Sequence, residues 1–119
     1  MGMMEGRVTI LFGTSKLEKV FSSDKKLRQQ HGDPRARLIR QRLSELTAAN
    51  TLADMWKLPA ARCHELKKNL KGYVSLDLDG PYRLIVQPSG DGVRYRDDGG
   101  LVHESVTVVI VEGVIDTHG

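Results

Sequence analysis

The hydrophobic period of this chain changes at Pro59, and that change constrains the fold more than any other feature. Before it, apolar residues recur at helical spacing; after it, they alternate. Leu17, Val20, Phe21 and Leu27 predict a helix over about Lys16–Gln30, with Ser15 and Glu18 at capping-box spacing and a weak point at Ser22-Ser23. His31-Gly32 ends it. Asp33-Pro34 then starts a second helix, Asp33 as cap and Pro34 in the first turn, reaching about Ala49. Its buried stripe is expected to be Ala36, Ile39, Leu43 and Leu46, with Arg35, Arg37, Arg40 and Glu45 off it. Leu52–Trp56 reads as one further short turn. Beyond Pro59, Val74, Leu76 and Leu78 alternate with Ser75, Asp77 and Asp79, a half-buried strand. Gly80-Pro81 turns the chain into Tyr82–Gln87, which closes a hairpin. Pro88–Gly100 carries four glycines and reads as a mobile loop. Val106–Val111 is apolar on both faces and should be a central strand, and Arg7–Phe12 a first strand. The expected fold is α+β: two N-terminal helices packed on one antiparallel sheet, in the order β-α-α-β-β-β, with a short extra strand near His64–Leu66. Residues 1–119 make one domain's worth of chain.

Charge narrows the function. Residues 1–72 hold 15 basic and 7 acidic side chains, a net of +8, whereas residues 73–119 hold 3 and 8, a net of −5. A basic half suggests a polyanionic partner, nucleic acid first, although two solvated helices would also account for it. No apolar run approaches the ~20 residues of a membrane helix. Met1–Gly6 lacks the apolar core of a secretion signal, and Cys63 is the only cysteine, so a cytoplasmic protein without disulfides is expected.

No pair among His31, His64, His103, His118 and Cys63 has metal-ligand spacing, and Gly90-x-Gly92 precedes no helix, so neither a metal nor a phosphate-loop cofactor is expected. Cys63 and His64 point to opposite faces if extended, which argues against a Cys–His nucleophile pair and for Cys63 as a small core residue. Trp56 reads as an anchor rather than a stacking platform. The informative stretch is Leu58–Tyr73, which sets His64 among Arg62, Lys67, Lys68 and Lys71, a surround that attracts phosphate. Arg83, on a strand between Tyr82 and Leu84, reads either as the cross-strand partner of Asp77 or Asp79 or as an anion clamp. Asp116-Thr117-His118 adds a carboxylate and a second imidazole at the end of the chain.

These residues together resemble the HigB group of the RelE-type toxins, the host-killing halves of bacterial toxin–antitoxin pairs. The resemblance rests on F-x-x-S-K-L-E-K (Phe12–Lys19), R-L-x-x-L (Arg42–Leu46), L-P-x-x-R-C-H-E-L-K (Leu58–Lys67), Gly72-Tyr73 with Asp77-Leu78, P-Y-R-L-I (Pro81–Ile85), D-G-G-L (Asp98–Leu101) and the closing D-x-H. It implies a RelE-like fold and a metal-free mRNA endonuclease acting in the ribosomal decoding site, where the ribose 2′-hydroxyl attacks the adjacent phosphorus. It implies catalytic roles for His64, Arg83, Asp116 and His118, and RNA contacts from Arg62, Lys67, Lys68, Lys71 and Tyr73. It also implies a helix-turn-helix (HigA-like) antitoxin, through which alone the pair would bind operator DNA. Thr117 stands where the family tail carries tyrosine. Two other readings stay open: a ParE-like toxin that poisons DNA gyrase, whose relatives generally lack the His/Arg/His set, and a plain nucleic-acid-binding module.

Overall fold

The structure, a computed structural model, describes residues 7–117. Strand β1 (Thr9–Phe12) leads into three helices: α1 (Ser15–Phe21), α2 (Asp24–His31) and α3 (Asp33–Ala48). The single first helix expected from the apolar stripe is therefore two. Ser23 leaves helical geometry and caps α2, its hydroxyl accepting from the Lys26 N–H, and so breaks the helix at the serine pair. The cap of α1 is Thr14, one residue before the expected Ser15. Gly32, at φ 81°, takes the cap position of α3 without a side-chain bond, leaving Asp33 and Pro34 in the first turn.

Short 3₁₀ turns at Leu52–Lys57 and Pro59–Ala61 bring the chain to β2 (His64–Glu65), followed by β3 (Val74–Asp77), β4 (Tyr82–Ser89) and β5 (Val108–Asp116). The strands form one sheet in the order β1-β5-β4-β3-β2; β4 is the middle strand, and β5, expected to be central, is interior between β1 and β4. All neighbours are antiparallel except β1 and β5, which run parallel in the register Thr9↔Val108, because the whole helical layer is the crossover between them and β5 returns in the same direction. The expected short strand near His64 is present. The 88–100 segment, expected to be a loop, carries regular structure: β4 runs to Ser89, and beyond it the chain forms a tight hairpin, with Arg96 N–H donating to the Gly100 carbonyl (2.6 Å) and Val102 N–H to the Arg94 carbonyl (2.9 Å).

Val74, Leu76, Leu84, Val86, Val109 and Val111 fill one face of the sheet and join Phe21, Leu27, Ala36, Ile39 and Leu46 from the helices in a single core. The other face of its β2–β3–β4 half is not bare either: Ser75 and Ile85 on that side are 1% and 4% exposed. On α3 the buried stripe includes Arg42, only 2% exposed, where the sequence suggests Leu43. Arg42 Nε donates to the Asp77 carbonyl (2.8 Å), Nη2 to the Ala60 carbonyl (3.0 Å) and Nη1 to Glu45 (3.1 Å), tying helix, strand end and 3₁₀ turn together.

A second polar cluster pins the β3–β4 turn to the helices. Arg35 grips Asp79 through two bonds (2.9 and 3.1 Å) and lies 3.4 Å from the centroid of the Tyr82 ring. His31 sits beside it, edge-on to Phe21, with Nε2 buried and without a hydrogen-bond partner. Burial first, and then the Arg35 guanidinium, hold the His31 imidazole below its ordinary value. The Asp79 carboxyl is also held low, chiefly by its bond from Arg35. Both depressions act in one direction. The unfolded chain binds the His31 proton more readily, so stability should fall as pH drops below about 6.5, and the Asp79 contribution, present above about 3.8, is lost at lower pH still. His31→Leu keeps apolar contact with Phe21 and removes the first component. Urea denaturation should then show a smaller loss between pH 7 and 5 than in the parent, with the loss below pH 4 retained; equal losses in both proteins would assign the acid sensitivity elsewhere.

Candidate functional site

The strand register decides which predicted residues can meet. His64 pairs with Ser75, Ser75 with Ile85, and Asp77 with Arg83. Because Val74, Leu76, Leu84 and Val86 point to the core, His64, Ser75, Asp77, Arg83 and Ile85 share the opposite face. On that face Arg83 Nε lies 3.0 Å from Asp77 Oδ1, and Arg62 Nε 3.6 Å from Asp77 Oδ2. Two guanidinium groups thus share one carboxylate, leaving the row net positive. Arg83 Nη1 also donates to the Gly80 and Tyr82 carbonyls (2.8 and 2.9 Å), while Nη2 takes part in none of these contacts. The cross-strand pairing of Arg83 with Asp77 suggested by the sequence is therefore present, and Asp79 belongs to Arg35 instead.

His64 is exposed, and its Nδ1 lies 2.8 Å from the Arg62 carbonyl oxygen. A carbonyl only accepts, so Nδ1 is the donor, and in the neutral ring Nε2 is the nitrogen with the lone pair. The Arg62 backbone makes this possible by adopting the left-handed region (φ 39°, ψ 52°), unusual for a residue with a side chain. Beneath the imidazole row, the Ser75 hydroxyl is buried with no hydrogen-bond partner. Two strand spacings and two residues separate His64 from Arg83, about 12 Å between Cα atoms. The Arg83 contacts with Gly80 draw its guanidinium toward the hairpin turn, away from the imidazole.

The remaining predicted residues lie elsewhere. Lys67, Lys68, Lys71 and Tyr73 line a cleft of about 940 Å³ at the β2–β3 connection, whose far wall is the 94–101 hairpin. Asp116 pairs with Tyr82, in the row that faces Arg35, and its charge acts on Arg35. The register thus sets Asp116 on the other side of the sheet from Arg83, because β5 continues to Asp116 where the sequence suggests a tail. Thr117 ties the chain end to the turn, its N–H (2.9 Å) and hydroxyl (2.8 Å) both donating to the Pro81 carbonyl. His118 lies outside the described residues. Cys63 is buried, and burial pushes its thiol far above the range in which it would ionise, as a core residue requires. Trp56 stacks on His103 at 3.6 Å between ring centroids, an anchor rather than a free platform.

Sequence reasoning missed Arg42, Tyr95 and Arg96. Arg42 stands three residues after Ile39 and four before Leu46, so its helical phase was the available signal. Tyr95 and Arg96 directly precede the Asp98-Gly99-Gly100 turn. Among the described residues no group of three or more His, Cys, Asp or Glu could hold a metal ion, and no helix is long and apolar enough to cross a membrane.

Fold and face define the class: a small α+β protein of RelE-like architecture, its helices on one side of the sheet and a cationic, histidine-bearing face on the other. A family model described as the RelE-like toxin of type II toxin-antitoxin system HigB matches residues 11–96. The chain belongs to this HigB-like toxin family, and membership of a type II toxin–antitoxin family implies an antitoxin as partner. No curated protein and no solved structure matches the chain.

Proposed function

We propose that this toxin is a ribosome-dependent endoribonuclease that cuts mRNA without a metal. The observation that carries the reading is the exposed His64, whose Nδ1 contact with the Arg62 carbonyl leaves Nε2 available in the neutral ring on the same sheet face as Arg62 and Arg83. In the reaction, His64 Nε2 takes the proton of a ribose 2′-hydroxyl. The 2′-oxygen bonds to the adjacent phosphorus while the bond to the 5′-oxygen breaks, and the leaving oxygen takes a proton from His118. The products are a 2′,3′-cyclic phosphate and a 5′-hydroxyl end. Arg83, through Nη2, stabilises the charge that develops on the phosphorane oxygens. Arg62, Lys67, Lys68, Lys71 and Tyr73 hold the strand. Asp116 serves as an orienting residue for the end of the chain rather than as a contact of Arg83. The partner is a HigA-like helix-turn-helix antitoxin, the place of action the cytoplasmic ribosome, and operator DNA is reached only through the antitoxin.

Induction of the chain in bacteria, followed by mapping of message ends, tests this directly. New 5′-hydroxyl ends within translated frames are expected, with chromosomal DNA intact; DNA breaks with intact messages would replace the nuclease by a gyrase poison. The same assay separates the two roles of Arg83. If it meets phosphate, Arg83→Ala removes the cuts while Asp77→Asn, which frees both guanidinium groups, does not. Equal loss in both variants would make Arg83 a structural partner of Asp77.

A further inference from the structure

The cleft at the β2–β3 connection has a second wall, which the D-G-G-L motif runs through and for which the sequence alone suggests no role. Tyr95, Arg96, Gly99, Gly100 and Leu101 stand across it from Lys67, Lys68 and Lys71. We propose that this cleft takes one unpaired ribonucleotide of the RNA strand, its base stacked on Tyr95 and its phosphate held by the lysines and Arg96. This rests on the reading of the chain as an enzyme that acts on RNA.

Four observations carry the assignment. First, the cleft is of ligand size, and its charge favours an anion. Its two acids are already engaged: Glu65 accepts from Leu101 N–H (3.1 Å) and bonds His103 Nε2 (3.0 Å), while Asp98 accepts from Gly100 N–H (2.8 Å) and lies 3.5 Å from Arg96 Nε. Lys67, Lys68 and Lys71 form no ion pair among the described residues. Second, Tyr95 is 56% exposed, a large ring left in solvent on the wall that faces those lysines. Third, the wall is a hydrogen-bonded turn. Tyr95 bridges Leu101, itself buried, and the turn is closed by Gly99 at φ 91°. A Cβ on Gly100 would overlap the Arg96 guanidinium, so this glycine is what lets Arg96 lie across the turn. His103, stacked on Trp56, anchors the next segment. Fourth, Lys68 holds φ 59°, one of two non-glycine residues with positive φ among those described; the other is Arg62 in the catalytic row. Both basic positions thus adopt a conformation uncommon for residues with side chains.

The cleft lies one strand away from His64, on the other side of β2. β2 is an edge strand, with His64 on one side and Glu65, in the cleft, on the other. A strand leaving the cleft over that edge arrives at the imidazole. A single-stranded RNA supplies both a ring for Tyr95 and phosphates for the lysines, whereas an acidic peptide supplies only charge.

The test is an anisotropy titration of a short fluorescein-labelled single-stranded RNA with the full chain. Tyr95→Ala should weaken binding about tenfold or more, and Tyr95→Phe should restore it to within about twofold, since stacking needs the ring and not the hydroxyl. Failure of the phenylalanine variant to restore binding, or equal competition by polyglutamate and by unlabelled RNA, would overturn the proposal. Cleavage on ribosomes is measured in parallel. If RNA binds with the expected Tyr95 dependence but no message is cut, the inference stands and the nuclease reading fails. If messages are cut and Tyr95→Ala binds RNA like the parent, the inference fails alone.

Discussion

Replacing His64 by glutamine is expected to slow message cleavage on the ribosome by about 10²–10⁴-fold, the range for removing a positioned acid or base. Glutamine is the informative substitution. Its amide can still donate to the Arg62 carbonyl, as His64 Nδ1 does over 2.8 Å, but it has no basic nitrogen to take the 2′-hydroxyl proton. His64 is exposed, and its partner in β2–β3 pairing is held through the backbone, so the change should move folding stability by no more than about 0.5 kcal/mol. Single-turnover cleavage with programmed ribosomes, beside a denaturation curve and an antitoxin-binding measurement, separates chemistry from folding. A variant that folds, binds antitoxin and still cuts at the parental rate would remove His64 from proton transfer and shift the base to another residue of the face.

The parts of the molecule that were legible in the sequence are those where a local pattern decides the structure. The change of period at Pro59 separates the helical layer from β2–β5, and the alternation Val74–Asp79 gave the core-facing side of β3; the half-buried strand it suggested is instead covered on both sides, Ser75 being 1% exposed. What was not legible depends on pairings between distant segments. Ser22-Ser23 looked like a frayed point in one helix, because only the cap bond to Lys26 turns it into a break. Arg83 could be read as clamp or ion-pair partner; the register Asp77↔Arg83 makes it the second at least, and Nη2 leaves room for the first. Asp116 and Arg83 both looked like neighbours of the scissile phosphate. Two more residues of strand pairing, Ile115 and Asp116, place them on opposite faces, and no period-2 argument could count β5 to its end without knowing the bulge between Ile85 and Val86. The glycines of 88–100 suggested mobility, yet the same glycines make a tight turn that holds Tyr95 and Arg96 in place.

Arg42→Ala should lower folding stability by about 3–5 kcal/mol, the cost of removing one partner from a buried, hydrogen-bonded charge pair. The argument is one of orphaned acceptors. Arg42 is 2% exposed and serves the Asp77 carbonyl, the Ala60 carbonyl and Glu45 at once. Truncation leaves both carbonyls without that donor, each costing about 1–3 kcal/mol if water cannot reach it. Glu45 is more accessible, its side chain 22% exposed, and can recover part of its solvation, so the lower half of the range is the better expectation. Lysine should rescue little, because a single ammonium on a flexible stem cannot span a helix, a strand end and a 3₁₀ turn as the guanidinium fork does. The midpoint of thermal unfolding should drop by roughly 10–20 °C in either variant. The effect should also reach the proposed catalytic face. Ala60 precedes Arg62 by two residues, and Asp77 carries the carboxylate between Arg62 and Arg83, so Arg42 supports both ends of that row from below. At a temperature where Arg42→Lys is still folded, its cleavage rate should therefore fall below the parent's while antitoxin binding is retained. A variant that melts with the parent would mean the two carbonyls find water instead, and Arg42 would then be an incidental burial rather than the post on which the site stands.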